Sequence, residues 1–382
     1  MDMSESHMRN NRFKKVLIVG DTLRPWQKGD RTVSGAFRNI QWVHHLLNWI
    51  LVDLNVEVRV LDWSSQDGTI KYDFFDVAKY YDLNQCEINL ENWIKLANQR
   101  VPCDKLWGLL QEYANDTLVV GYEMPPVFVE TFISNHVPFI DIALHPVRFM
   151  SDILHSIRTN DAIIHQHLIQ CRFSTKQYWK SAALIKSKIS RYPTTVNTPP
   201  GTTVIIGQVW TDRAISKNDG GFHRLENHLA ELKEIVFNSG AVLYKPHPME
   251  KISGQVSDIC KIFKSIKMTD INYYHLVSQP AVTQVCGLNS SALYEAKYFG
   301  RSARYLISPQ YDLKDDEPAQ KIQTGEFVTI GNVWTEDYFW NAIMKSEPLP
   351  NKDLGSYLKY NELRKSMNTD WGYDTINQLV MK

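Results

Sequence analysis

The sequence predicts an α/β protein of two doubly wound domains, and three observations carry that expectation. Short apolar runs alternate with longer stretches of helical period from Val16-Leu-Ile-Val-Gly20 onward, the pattern of βαβ units around a parallel sheet. The alternation breaks at residues 191–201, RYPTTVNTPPG, and then restarts. Three prolines without an apolar period mark a linker there. At 382 residues the chain is also too long for one ordinary core. The expected divisions are 1–195 for a first domain, 196–335 for a second, and 336–382 for C-terminal helices crossing back to the first.

In the first domain, Val16–Gly20 reads as a buried parallel strand because it is continuously apolar and ends in Gly-Asp. A helical pattern follows over 35–54, then strands at 56–61, 117–121 and 138–144, each closed by polar or proline punctuation. In the second domain, strands are expected at 202–206, 241–244, 281–285 and 303–307. Helices are expected at 222–239, 256–266 and 290–299. The stretch 336–367 is aromatic and amphipathic.

Composition narrows the function. With 43% hydrophobic and 22% charged residues the chain is an ordinary globular protein. Forty-two basic residues balance forty-two acidic ones, which gives no chain-wide field for nucleic acid. Five scattered cysteines, an odd number with no C-x-x-C, point to reduced thiols in a cytoplasm rather than a disulfide frame. No apolar run approaches the ~20 residues of a membrane span, and no signal-peptide h-region is expected. There is no H-E-x-x-H, no cysteine–histidine cluster, no D-x-D, no G-x-G-x-x-G and no G-x-x-x-x-G-K. Metal, dinucleotide and P-loop chemistry are therefore unsupported, and no cofactor is expected.

The chemistry gathers at strand ends, where open α/β sheets bind their ligands. Tyr244 is followed by Lys245-Pro246-His247-Pro248; two prolines end any pairing and fix His247 on a stiff turn. Ile206 is followed by Gly207-Gln208-Val-Trp-Thr-Asp212, which brings a carboxylate past the next strand end. The strand at 281–285 leads to Gly287-Leu-Asn289-Ser290-Ser291, which opens a helix containing Glu295. Serines at a helix start are ordinary N-caps, but they also suit a phosphate. In the first domain, Glu123 follows the 117–121 strand beside Met124-Pro-Pro. The sequence then runs through His145, Arg148, Arg158 and Asn160, groups suited to an anionic sugar. Arg24 follows the first strand in the same way.

The K-P-H-P and S-S-x-x-x-E-A segments resemble the nucleotide-binding half of GT-B glycosyltransferases that use CMP-activated ulosonic acids, a group that includes bacterial sialyltransferases. The segments GYEMPP (121–126), DIALHPVRFMSDI (141–153) and GQVWTD (207–212) are similar to those of retaining β-Kdo transferases of the capsule and O-antigen type. The resemblance covers most of residues 115–300. It implies a GT-B fold, two Rossmann-like domains facing a central cleft, and metal-independent transfer of Kdo from CMP-Kdo to a glycan or lipid-linked acceptor. It implies that Asp212 is the nucleophile, Glu123 the acid/base on the acceptor hydroxyl, and His247 the donor to the departing CMP phosphate. Ser290 and Ser291 would hold that phosphate, Glu295 the ribose, and Gln208, Lys245, Pro246 and Asn289 the rest of the donor. Arg24, His145, Arg148, Arg158 and Asn160 would face the acceptor or the Kdo carboxylate. A cytoplasmic protein at the periphery of the inner membrane, or a module of a larger polysaccharide-synthesising protein, fits these substrates. Two alternatives stay open: an inverting sialyltransferase with no nucleophile, and a non-catalytic nucleotide-sugar or glycan-binding module.

Overall fold

The computed structural model describes residues 11–64, 72–191 and 198–368. Half of the expected linker, 192–197, and the end of the expected C-terminal segment lie outside that range. The strands in chain order are β1 Lys15–Gly20, β2 Pro25–Lys28, β3 Arg31–Ser34, β4 Glu57–Asp62, β5 Tyr72–Phe74, β6 Thr117–Tyr122 and β7 Phe139–Leu144. They continue with β8 His155–Thr159, β9 Thr202–Ile206, β10 Ala241–Lys245, β11 Ile266–Met268, β12 Val282–Gly287, β13 Ser302–Tyr305 and β14 Val328–Ile330. The protein is mixed α/β with largely parallel sheets.

The chain forms two compact units that interleave in sequence. Among the described residues, unit 1 comprises 11–64, 72–144, 155–173 and 313–358; unit 2 comprises 145–154, 174–191, 198–312 and 359–368. Unit 1 holds a seven-stranded sheet in the order β14-β8-β7-β6-β1-β4-β5. β6 is buried along all six residues, flanked on both sides by the parallel strands β1 and β7. The helix Phe37–Asp53 buries Phe37, Ile40, Val43, Leu47, Ile50 and Leu51. Spaced three and four apart, they form one stripe, each side chain contributing roughly 1.5–3 kcal/mol. Unit 2 holds a five-stranded, wholly parallel sheet in the order β11-β10-β9-β12-β13.

Several expectations need correction. The first sheet is not purely parallel: β8 runs antiparallel to β7, and β14 antiparallel to β8. Arg158 lies in β8. Arg24-Pro-Trp-Gln opens the β2–β3 hairpin. The helix expected over 222–239 spans only Leu229–Asn238, preceded by a 3₁₀ turn at Leu225–His228. The one expected over 256–266 shrinks to Ile259–Ile262 and yields to edge strand β11.

The linear domain boundaries also differ from the compact units. Residues 145–154 fold with unit 2, where the His145 ring stacks on Tyr178 and meets Tyr294 edge-on. Asp152, fully buried, accepts the backbone N–H groups of Leu363 and Arg364. Residues 313–358 fold with unit 1, and 359–368 with unit 2. Among the described residues no helix is long and apolar enough to cross a membrane.

Candidate active site

Three neighbouring strands of unit 2, β10, β9 and β12, end in the residues singled out from the sequence. β10 leads into Pro246 and His247, and His247 caps the helix Pro248–Ser253. Pro248 suits the first helical position because its missing N–H has no partner there anyway. The His247 N–H donates to Glu250 Oε2 at 2.5 Å, while His247 Nδ1 accepts the Met249 N–H at 3.1 Å. This is a capping box with an imidazole in the hydroxyl's place. Because Nδ1 is an acceptor, the proton of the neutral ring sits on Nε2, available to donate. Burial lowers the His247 pKa, Asp212 opposes that, and Lys245 adds to it. Lys245, also half-buried, is lowered by its own burial against the pull of Asp270.

Glu250 was not foreseen. It is 5% exposed and takes the Tyr244 hydroxyl as well as the His247 N–H, and burial raises its pKa. A Cβ at Gly207 would collide with its carboxylate, so the glycine ending β9 makes room for the group that fixes His247. The sequence signal was present: His-Pro-Met-Glu has the spacing of a capping box.

β9 leads to Asp212, which caps the 3₁₀ turn Arg213–Ile215 and accepts the Ala214 N–H through Oδ1 at 2.9 Å. Asn289, just past β12, donates its N–H to Gln208 Oε1 and its Nδ2 to Ala214 O, both at 3.1 Å. Those two bonds lace the turn carrying Asp212 to the loop carrying the serines. Ser290 caps the helix Ser291–Ala296, its Oγ accepting the Ala292 N–H at 3.4 Å. A cavity of about 360 Å³ adjoins this edge, lined by Gln208, Trp210, His223, Arg224 and Glu250 among others. The Arg224 guanidinium lies 5.6 Å from the Trp210 ring centroid.

Other residues of unit 2 are drawn inward. Glu295 is 2% exposed and accepts the Arg148 N–H at 2.6 Å and the Tyr274 hydroxyl at 3.1 Å. Burial pushes its pKa up to about 7. His145 is fully buried, with Nδ1 accepting the Val147 N–H. The Arg148 carbonyl accepts from the Arg364 guanidinium.

In unit 1, Glu123 follows β6 with φ +50°, in the left-handed region, which a non-glycine residue occupies at a cost of about 1 kcal/mol or more. The Glu123 N–H to Ile142 O at 2.8 Å and the Met124 N–H to Asp141 Oδ1 at 3.0 Å hold the turn. A Cβ at Gly121 would strike the Met124 side chain. Asp141, 1% exposed, also pairs with the Arg158 guanidinium at 2.9 Å. Arg158 lies 4.6 Å from the Phe327 ring centroid. Asn160 accepts the Phe139 N–H and donates to Val137 O. Arg24 rests on Trp93 at 4.9 Å. Among the described residues no three histidine, cysteine, aspartate or glutamate side chains are grouped to hold a metal.

No protein-family model and no curated protein matches the chain. Among solved structures it is similar to the β-Kdo 2,7 transferase of KpsC from Thermosulfurimonas dismutans, at 18% identity over 52% of this chain and 67% of that one, TM-score 0.29. It is similar to the β-Kdo 2,4 transferase of the same KpsC at 15% identity, covering 48% and 67%, TM-score 0.32. The UDP-GlcNAc 2-epimerase of Neisseria meningitidis matches at 10% identity, covering 96% and 100%, TM-score 0.26. TM-scores this low establish neither a shared fold nor a shared reaction, so the site stands on its own residues.

Proposed function

We propose that the chain is a retaining glycosyltransferase of GT-B type that moves Kdo from CMP-Kdo onto a bacterial surface-glycan acceptor, forming a β-linkage. The observation that carries this reading is the convergence of Asp212, His247 and Ser290–Ser291 at the ends of adjacent strands β9, β10 and β12. The Asp212 carboxylate attacks the anomeric carbon, the bond to the phosphate oxygen breaks, and CMP leaves with the electron pair. His247 Nε2–H donates to that phosphate, and Ser290, Ser291 and the helix start hold it. Lys245 adds positive charge at the same strand end. Glu123 then takes the proton of the acceptor hydroxyl, whose oxygen displaces Asp212 from the sugar. Two inversions give net retention. Gln208 and Asn289 hold the Asp212 turn in register with the serines.

The reaction runs on cytoplasmic substrates, so the protein works in the cytoplasm, alone or as a module of a longer polysaccharide-synthesising chain. Intact-protein mass spectrometry with CMP-Kdo generated in situ tests the reading. In Glu123→Gln, slowed in its second step, a one-Kdo adduct is expected on a peptide containing Asp212, and none in Asp212→Ala. CMP release and acceptor glycosylation without an adduct in any variant would favour an inverting enzyme. No CMP release with any acceptor would favour a binding module.

A further inference from the structure

We infer that the outward face of the helix Lys176–Arg191 is a docking surface for an anionic lipid bilayer. The helix carries Lys176, Lys180, Lys186, Lys188 and Arg191 and no carboxylate, in a chain whose charges balance overall. Its apolar stripe, Tyr178, Ala182, Ile185 and Ile189, is already buried in unit 2. The opposite face exposes Lys176, Lys180 and Arg191 together with Trp179 at 52% and Leu184 at 62%. Large apolar groups standing among cations are costly in water and suit the headgroup layer, where Trp settles and Lys and Arg meet anionic lipid.

The neighbouring elements keep the sign. The helix Tyr273–Ser278 and the 3₁₀ turn Lys297–Phe299, which pack against it, carry no carboxylate, and the turn adds Lys297. A nucleic acid would satisfy the cations but not the aliphatic Leu184. The Trp179 ring is packed edge-on against Tyr298 at 5.1 Å, a poor platform for stacking bases. Because the apolar stripe faces the core, the helix does not insert. Contact is shallow, electrostatic and salt-sensitive.

Flotation with phosphatidylcholine vesicles, with and without 30 mol % phosphatidylglycerol, tests this on the full chain. Binding is expected only to the anionic vesicles at about 0.1 M NaCl and is lost near 0.5 M. At roughly five-fold per cation, Lys176→Gln with Lys180→Gln lowers partitioning about 25-fold, and Leu184→Gln lowers it further. The matched pair Lys264→Gln and Lys267→Gln, at the far edge of the five-stranded sheet, leaves it unchanged. All four side chains are exposed, and circular dichroism melts are expected to match wild type. Equal binding to neutral vesicles overturns the proposal, as does an equal loss in the matched pair. So does tighter binding to single-stranded DNA than to vesicles, or a wild-type dimer that dissociates in the lysine variant while vesicles go unbound.

Discussion

The two sheets treat the residues at their strand ends differently. In unit 2, β9, β10 and β12 end in side chains that contact their own local backbone and still present a functional atom: Asp212 caps through Oδ1, and His247 accepts through Nδ1 and keeps Nε2–H. In unit 1, the polar groups nearest β7 and β8 are absorbed by the fold. Arg158 closes on Asp141, and Asn160 ties Phe139 to Val137. The difference lies in the strand partner. A wholly parallel sheet leaves each of its carboxyl ends on the same edge, with no opposing strand to answer a charge. The antiparallel β7–β8 pair sets Arg158 directly opposite Asp141, and cross-strand opposite charges in that register pair.

The largest effect expected from this contrast is on chemistry. Asp212→Asn keeps an oxygen to cap Ala214 but removes the carboxylate charge. Transfer is expected to fall about 10⁴-fold or more, as for loss of a nucleophile, with an unchanged thermal midpoint. A loss below ten-fold in an acceptor-glycosylation assay would remove Asp212 from the reaction and erase the distinction between the two edges.

The second effect is on stability and belongs to unit 1. Asp141→Ala leaves the Arg158 guanidinium without its carboxylate and frees the Met124 N–H. Breaking a buried pair from one side costs about 3–5 kcal/mol. Chemical denaturation is expected to show that loss, whereas Arg24→Ala, which removes the guanidinium from the Trp93 face, gives up about 1 kcal/mol for that contact. Similar losses in the two variants would mean that the antiparallel pair is not what distinguishes this edge.

These cases also separate what the sequence discloses from what it does not. The strands Val16–Gly20, Thr117–Gly121 and Thr202–Ile206 were legible because continuous apolar runs ended by glycine or polar residues have few other readings. β8, His-Ser-Ile-Arg-Thr, and β14, Val-Thr-Ile, were not, because each is short and its partner is set by tertiary structure. β14 pairs with β8 from far along the chain. His247 stood out through its prolines, while the Arg158–Asp141 pair depended on a strand direction that the residues alone do not reveal. Residues 145–154 were placed in the first domain because they follow β7 in sequence. Packing of His145 between Tyr178 and Tyr294 places them in unit 2 instead.

Glu295 sharpens the contrast within unit 2, since it sits on the serine helix yet faces inward. Its folded pKa, about 7, lies above the usual carboxylate value because of burial. The folded state therefore binds the proton more tightly than the unfolded one. Stability from this group is greatest below the unfolded value and falls as pH rises through about 4.5 to 7. The expected loss is on the order of 3 kcal/mol. Glu295→Gln is expected to flatten that slope, so the variant gains on wild type as pH rises. Parallel stability curves for the two proteins would show that Glu295 is not a buried titrating group.

The smallest effect concerns Ser290, where capping and substrate binding make different demands on one hydroxyl. As a cap, Ser290→Ala costs about 1 kcal/mol of stability, while Ser290→Asp restores the cap acceptor. As a phosphate ligand, the same site gains nothing from aspartate, whose charge repels the phosphate of CMP. The two variants are expected to separate: alanine less stable with weakened CMP affinity, aspartate as stable as wild type with CMP affinity reduced at least as far. Calorimetric titration with CMP alone measures the second quantity without any turnover. If aspartate restored both stability and CMP binding, Ser290 would be a cap and nothing more, and the serine pair would join Arg158 and Asn160 among strand-end residues that the fold itself occupies.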